Sequence, residues 1–217
     1  MIVEHHLKSG LKVRVRPFEQ KDLRTCVGLM FSTYKPPQDE PGKKMWLGEM
    51  KAFWPDELAS TARKRDYHIA ESGGEAIGMI GIERFQPAAW RVEEAKRFGE
   101  PADLSTLQSP PAAHILDLAV APEFQCKHVG RLLLLAAMLR KIEQGVEHFY
   151  AYAPAHALPL LRHGGFVAST EPVTSVMWGA AHSLRARVPA ENKGELQDAL
   201  RAIQAHHAAP ALALLPA

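Results

Sequence analysis

The sequence predicts an α+β domain in which helices flank a mixed central sheet. Three observations carry that expectation. Segments with strand periodicity are interleaved with segments of helical periodicity, in the order β-α-α-β-β, a long connection, then β-α-β-α-β-β. A glycine pair, Gly73-Gly74, joins two of the strand segments as a tight hairpin. A third strand, Ile115 to Val120, runs through a polar loop into a helix whose positions 132 to 137 are all leucine or alanine, a helix made for burial.

Each element has its own signal. Leu11 to Arg16 (LKVRVR) alternates apolar and basic residues, the pattern of a strand with one buried face, and Pro17 closes it. Glu19 to Phe31 reads as a helix with Leu23, Val27 and Met30 along one side. PPQDEPG is a loop. Lys44 to Leu58 carries Trp46, Leu47, Met50, Phe53 and Trp54 at helical spacing, interrupted by Pro55, and reads as one or two short helices. Tyr67 to Glu71 and Glu75 to Glu83 are the arms of the hairpin. Residues 84–112 hold four prolines, Trp90 and a charged stretch, a long connection of the kind that serves as a lid or binding loop, or as a tolerated insertion. After Ile115 to Val120 come the apolar helix from Val129 to Gln144, a stop at Gly145, a strand from Val146 to Ala153, and a helix from Ala155 to His163. Two final strands follow, near Val167 to Ser169 and Val173 to Trp178. In the tail, Lys193 to His206 forms an amphipathic helix with Leu196, Leu200 and Ile203 on one face, able to pack on the domain or on a second subunit.

Bulk properties narrow the function classes. The 217 residues suffice for one domain with a sizeable core, or one with a small appendage. Twenty-six basic against 24 acidic side chains leave a net charge of +2, which gives no reason to expect a nucleic acid or another polyanion. Cys26 and Cys126 are far apart and lack both a disulfide framework and zinc-site spacing, so no metal is expected and the reducing cytoplasm is the expected location. MIVEHHLKSG has no secretory h-region, and the longest apolar run, Leu132 to Leu139, is too short to cross a bilayer.

The chemistry concentrates in ILDLAVAPEFQCKHVGRLLLLAAML. The first turn of a helix carries unpaired N–H groups and the positive end of its dipole, a ready anion site. Lys127, His128 and Arg131 add charge, and Gly130 permits close approach. The run Val120, Ala121, Pro122, Glu123, Phe124, Gln125, Cys126, Lys127, His128, Val129, Gly130 resembles motif A of the GNAT superfamily of acyl-CoA-dependent N-acyltransferases: V-x-P, then Q/R-x-x-G-x-G/A, then a helix. His128 stands where the first glycine of that signature stands. Arg14 to Pro17 looks like the family's opening strand, the Gly73-Gly74 hairpin like its second and third strands, and Leu160 to Phe166 (LLRHGGF) like its LYEKLGF-like segment. The resemblance implies a GNAT-like domain over residues 11–179, with the insertion 84–112, and a C-terminal extension over residues 180–217.

The resemblance further implies acetyl-CoA as cosubstrate and coenzyme A as product. Backbone N–H groups over Gln125, Cys126, Lys127, His128, Val129, Gly130 and Arg131 would hold the pyrophosphate. The edge of the strand through Leu118, Ala119 and Val120 would bond the pantetheine arm, in a gap opened where that strand splays from Phe149 to Ala153. An N–H near Val120 would polarise the thioester carbonyl. The family's tyrosine acid and the asparagine opening its helix fall on Leu161 and Pro154. Substitute acids are Tyr152, which shares its facing with Tyr150, and His156; alternatively the thiolate leaves unaided, since a thiol pKa is about 8.5. The base candidates are Glu83, through a water, and His114, while Asp117 is assigned the structural role of holding loop backbone. Cys126 lies in the pyrophosphate loop, which favours direct transfer over an acyl-cysteine. The acceptor is expected to be a small-molecule amine or amino-acid derivative, with Trp46, Phe53, Trp54 and Trp90 as an apolar wall or as core. The alternatives are a non-catalytic GNAT-like module that binds CoA as a sensor, and an interaction protein in which the gap beside Val120 is filled. A homodimer, through the final strands or the tail helix, is the expected assembly if the chain is not monomeric.

Overall fold

The structure is a computed structural model that describes residues 3–33, 66–85, 112–175 and 179–204. The expected helices over Lys44 to Leu58, most of the 84–112 connection, and Trp46, Phe53, Trp54 and Trp90 lie outside the described residues. Among the described residues one mixed sheet runs in the order β1-β2-β3-β4-β5-β6-β8-β7. Its strands are β1 (Val3–His6), β2 (Lys12–Pro17), β3 (Asp66–Ser72), β4 (Glu75–Phe85), β5 (Ala112–Val120), β6 (His148–Ala153), β7 (Val167–Ser175) and β8 (Gly179–Arg187). Only the β5–β6 pairing is parallel; the others are antiparallel. The four helices described are α1 (Leu23–Thr33), α2 (Val129–Ile142), α3 (Leu158–Arg162) and α4 (Lys193–Arg201).

Helices cover both faces of the sheet. On one face α1 lays Cys26, Leu29 and Met30 over Tyr67, Ile69, Met79 and Ala119. Its start is later than the sequence predicts, because Gln20–Asp22 form a 3₁₀ turn and the Asp22 carboxylate accepts from the Glu19 N–H at 2.8 Å. The same carboxylate receives a bidentate pair from Arg16 at 2.7 and 2.8 Å, and Glu71 takes the Arg16 Nε–H at 2.7 Å. Arg16, placed by its alternation on a solvent face, is thus buried at 3 % exposure by being paired. On the other face α2 buries Leu132, Leu133, Leu134, Leu135 and Met138 against Ile80, Ile82, Ile115 and Phe149.

Gly73 and Gly74 both have positive φ, 60° and 88°, which is the backbone a two-residue hairpin turn between right-twisted strands requires. The C-terminal region departs from expectation. Residues 167–175 form one strand with a register shift between Ala168 and Pro172, rather than two. Gly179–Arg187, assigned above mainly to an extension beginning at residue 180, is instead β8, an interior strand between β6 and β7. Its small side chains hid it: Ala181, Ser183 and Ala186 fit under packed neighbours but give little hydrophobic periodicity. β1 was missed for the same lack of apolar residues. The tail helix α4 packs on α2 of its own chain through Leu196, and Ile203 is buried beyond its end. A bridge between Leu7 and Gln204 then ties the chain back to the start of the sheet.

Candidate donor and acceptor site

The site begins with a defect in pairing. β5 pairs with β6 only from Ala112–His148 to Ile115–Ala151. Beyond that point the strands have no ladder, although β5 continues to Val120 and β6 to Ala153. On its other side β5 stays paired with β4, through Leu118–Ile80, Ala119–Met79 and Val120–Gly78. Between Ile115–Ile82 and Leu118–Ile80, two residues of β5, Leu116 and Asp117, stand opposite Gly81 alone. This is a β-bulge, and bulges bend the strand that carries the extra residue. The bulge therefore sits where β5 parts from β6. It also shifts the alternation by one residue, so that Ala113 and Ile115 before it, and Leu118 and Val120 after it, pack toward the α2 side.

Gly81 makes the bulge possible. A Cβ there would lie 2.6 Å from the Tyr67 ring. The Tyr67 hydroxyl donates to Asp117 at 3.0 Å, both residues being buried. Asp117 thus holds a tyrosine side chain beneath the bulge, where the sequence reading assigned it to loop backbone.

Backbone direction decides what the gap offers. The Ala121 N–H bonds the Ile77 carbonyl of β4 at 2.9 Å. Alternate peptide groups point to opposite sides of a strand, so Leu118 and Val120 present theirs to the side vacated by β6, and Ala119 presents its own to β4. The Val120 carbonyl is taken by the Gln125 amide at 3.0 Å, which leaves its N–H facing the gap.

The loop into α2 has an unusual winding. Cys126 and His128 are the non-glycine residues with positive φ, 58° and 68°, among the described residues. His128 keeps the left-handed backbone that glycine favours while adding an exposed imidazole. Among the described residues no backbone carbonyl of the loop accepts from the N–H groups of Cys126 to Arg131, and the first such bond is Leu132 to His128 O at 2.9 Å. The Arg131 Nε is buried with no hydrogen-bond partner, a cation poised for an acceptor. Ser9 ties the loop down through the Lys127 carbonyl at 3.1 Å, and the Lys127 ammonium lies 5.5 Å from the centre of the Phe124 ring. Gly130 is used for packing: a Cβ there would meet Leu160 of α3 at 3.3 Å. Val129 anchors the first turn of α2 in the core.

The candidate proton-transfer groups come together on the opposite side of the sheet from α2. Glu83 is directly opposite His114 in the β4–β5 ladder, and His114 directly opposite Tyr150 in the β5–β6 ladder. Tyr152 is one side-chain period further, just past the last parallel pair, and its ring meets His114 edge-on at a centroid distance of 5.7 Å. Glu83, His114 and Tyr152 are each half-buried. The row continues to β8, where Arg185 is opposite Tyr150 and Ser183 opposite Tyr152. Those two residues escaped the sequence reading because β8 did; the alternation Ser183, Arg185 between Leu184 and Ala186 was the available signal. His156 sits exposed in the 3₁₀ turn after Pro154, while Leu161 is buried in the core. Cys126 is exposed; Cys26 is buried, and burial pushes its thiol up to about 12.

Residues 30–166 match the Acetyltransferase (GNAT) family. The chain belongs to the GNAT acetyltransferase family. Family membership carries the general chemistry of acetyl transfer from a CoA thioester to an amine. No curated protein matches the sequence. Solved structures with the same fold include PaiA N-acetyltransferase from Thermoplasma acidophilum in complex with coenzyme A, at 16% identity over 81% of this chain and 98% of that one, TM-score 0.56. An acetyltransferase from Corynebacterium glutamicum, described as histone acetyltransferase HPA2 and related, shares 19% identity over 80% and 94%, TM-score 0.55. An uncharacterized protein from Bacillus halodurans shares 11% over 93% and 97%, TM-score 0.59. At these identities the likeness is one of fold, and the GNAT-like mixed sheet predicted from the sequence is the fold observed.

Proposed function

We propose that the protein transfers acetyl from acetyl-CoA directly to a primary amine of a small molecule or amino-acid derivative. The observation that carries this reading is the divergence of β5 and β6 beyond Ile115 and Ala151, with the positive-φ loop on one side and the Glu83–His114–Tyr152 group on the other. In this reading the pyrophosphate lies on the N–H groups of Gln125 to Arg131 and the pantetheine arm pairs with Leu118 and Val120. Ala119, facing β4, supports the strand without touching the ligand.

The amine arrives as an ammonium and must lose a proton before it has a lone pair to use. Glu83 through a water, or His114 directly, accepts that proton. The nitrogen then attacks the thioester carbon, and the Val120 N–H donates to the oxygen as it gains charge. The attacking nitrogen, now cationic, gives up its second proton to water; collapse breaks the C–S bond, the pair of electrons leaves on sulfur, and Tyr152 supplies a proton or the thiolate departs as such. The products are an amide and CoA. Cys126, at the phosphate end, takes no part in the bond changes.

One observation favours a second reading, a CoA-binding module without chemistry: Leu161 fills the position of the family's acidic tyrosine and is buried among apolar side chains. Two assays together separate them. Calorimetry with acetyl-CoA and CoA tests the donor site, and release of free CoA thiol in the presence of a panel of amines tests transfer. Binding with amine-dependent thiol release supports the enzyme; binding without release for any amine supports the module; no binding at millimolar acetyl-CoA overturns both.

A further inference from the structure

We infer that the phosphate end of the donor site is completed by His163, which acts with Arg131 and His128 and takes up a proton as the donor's phosphates bind. The inference rests on the reading of this loop as the CoA site. His163 follows α3, outside the loop motif, and neither the motif nor the strand order points to it.

The packing brings it there. Leu160 of α3 lies against Gly130 in the first turn of α2, 3.3 Å from where a Cβ would stand, so the end of α3 is held beside the start of α2. Arg131 stands in that first turn with its Nε buried and unpaired. His128 immediately precedes α2, exposed, at a backbone position where its family has glycine. Three cationic or titratable groups from three segments, the exposed His163 among them, thus meet near the start of α2. Partial burial lowers the pKa of His163, and the charges of Arg131 and His128 lower it further. Arg131 from α2 and His128 from the loop are the groups whose charges bear on it, and no acidic group among the described residues does. Burial first, and these positive charges second, keep His163 neutral near pH 7. A phosphate placed among these groups reverses the sign of the local field and favours the imidazolium, with each unit of pKa change corresponding to about a tenfold change in affinity between the two protonation states.

The test is calorimetric titration of the full-length protein with CoA and with dephospho-CoA at pH 7, in two buffers of different ionisation heat. The difference in apparent enthalpy gives the protons taken up. We expect uptake of roughly half a proton or more per ligand bound. Equal uptake with dephospho-CoA places the pyrophosphate against His163; uptake with CoA alone places the 3′-phosphate there, and either result supports the inference. In His163→Gln the uptake disappears, and the affinity falls about tenfold at pH 6 while changing little at pH 8.5. In His128→Gly the uptake persists. Ligand binding without proton uptake in the unaltered protein, or uptake unchanged in His163→Gln, overturns the inference while leaving the donor site in place. Absence of binding by both ligands at every pH overturns the donor-site reading and this inference with it.

Discussion

Gly81→Ala probes the link between the bulge and the donor gap. The added methyl would stand 2.6 Å from one Tyr67 ring carbon and 3.1 Å from the next. That ring is buried at 3 % exposure and tethered by its hydroxyl to Asp117, so it cannot swing into solvent. Overpacking of this kind costs about 1–3 kcal/mol, and a displaced ring also forfeits a hydrogen bond to a buried carboxylate, worth about 1.5–3 kcal/mol. A total of roughly 2.5–6 kcal/mol follows, and at about 2–4 °C per kcal/mol for a chain of this size the melting temperature falls by about 5–24 °C. Asp117 is one of the two bulge residues, so its displacement also moves Leu118 and Val120 and weakens CoA binding, by about tenfold for each 1.4 kcal/mol lost. Thermal unfolding followed by circular dichroism, together with CoA calorimetry, reads both effects. Tyr67→Leu provides the cycle: removing the ring opens the space, so Gly81→Ala costs much less in that background. A melting temperature within 2 °C of the unaltered protein for Gly81→Ala alone, or full additivity in the double variant, would refute the reasoning.

Three further outcomes are expected. Glu83→Gln, His114→Ala and Tyr152→Phe each leave CoA affinity within about twofold, and the substitution that removes the operating base lowers kcat by about 10²–10⁴-fold; unchanged turnover in all three, measured by thiol release, would remove the proposed proton-transfer group. Stability declines in two acid windows: burial depresses His68 to about 4, so the unfolded chain takes a proton there first and stability falls as pH drops from about 6.5 toward 4. Asp22 and Glu71 are also held low, Asp22 against the raising effect of burial by Arg16 and the Glu19 N–H and Glu71 chiefly by Arg16, so their contribution is lost as pH falls from the ordinary carboxylate range toward those lower values; urea midpoints against pH show both steps, and His68→Leu shrinks the first. Finally, a thiol reagent modifies Cys126 and spares Cys26 in the folded protein, and bound CoA slows that reaction at least about fivefold if the loop is the phosphate site; equal rates with and without CoA would count against it.

Local rules were enough for much of the molecule. The Gly73-Gly74 turn, the alternation of LKVRVR and the leucine run of α2 each state their structure within a few residues, because hairpin geometry, pleat and helical burial act at short range. The V-x-P and Gln125-to-Gly130 pattern likewise marked the wound loop into α2 and its family, since backbone N–H groups left open at a helix start need a particular local winding. What tertiary structure decided was everything that depends on neighbours. β8 has too little apolar periodicity to declare itself, and it becomes a strand because β6 and β7 both supply partners. Arg16 is buried because Asp22 and Glu71 meet it from other segments. Glu83, His114 and Tyr152 were single candidates on three strands; only the β4–β5 and β5–β6 registers, with β5 bulged opposite Gly81, put them in one place beside an open edge. Register is a property of pairs of strands, and a linear sequence records each partner without recording the pairing.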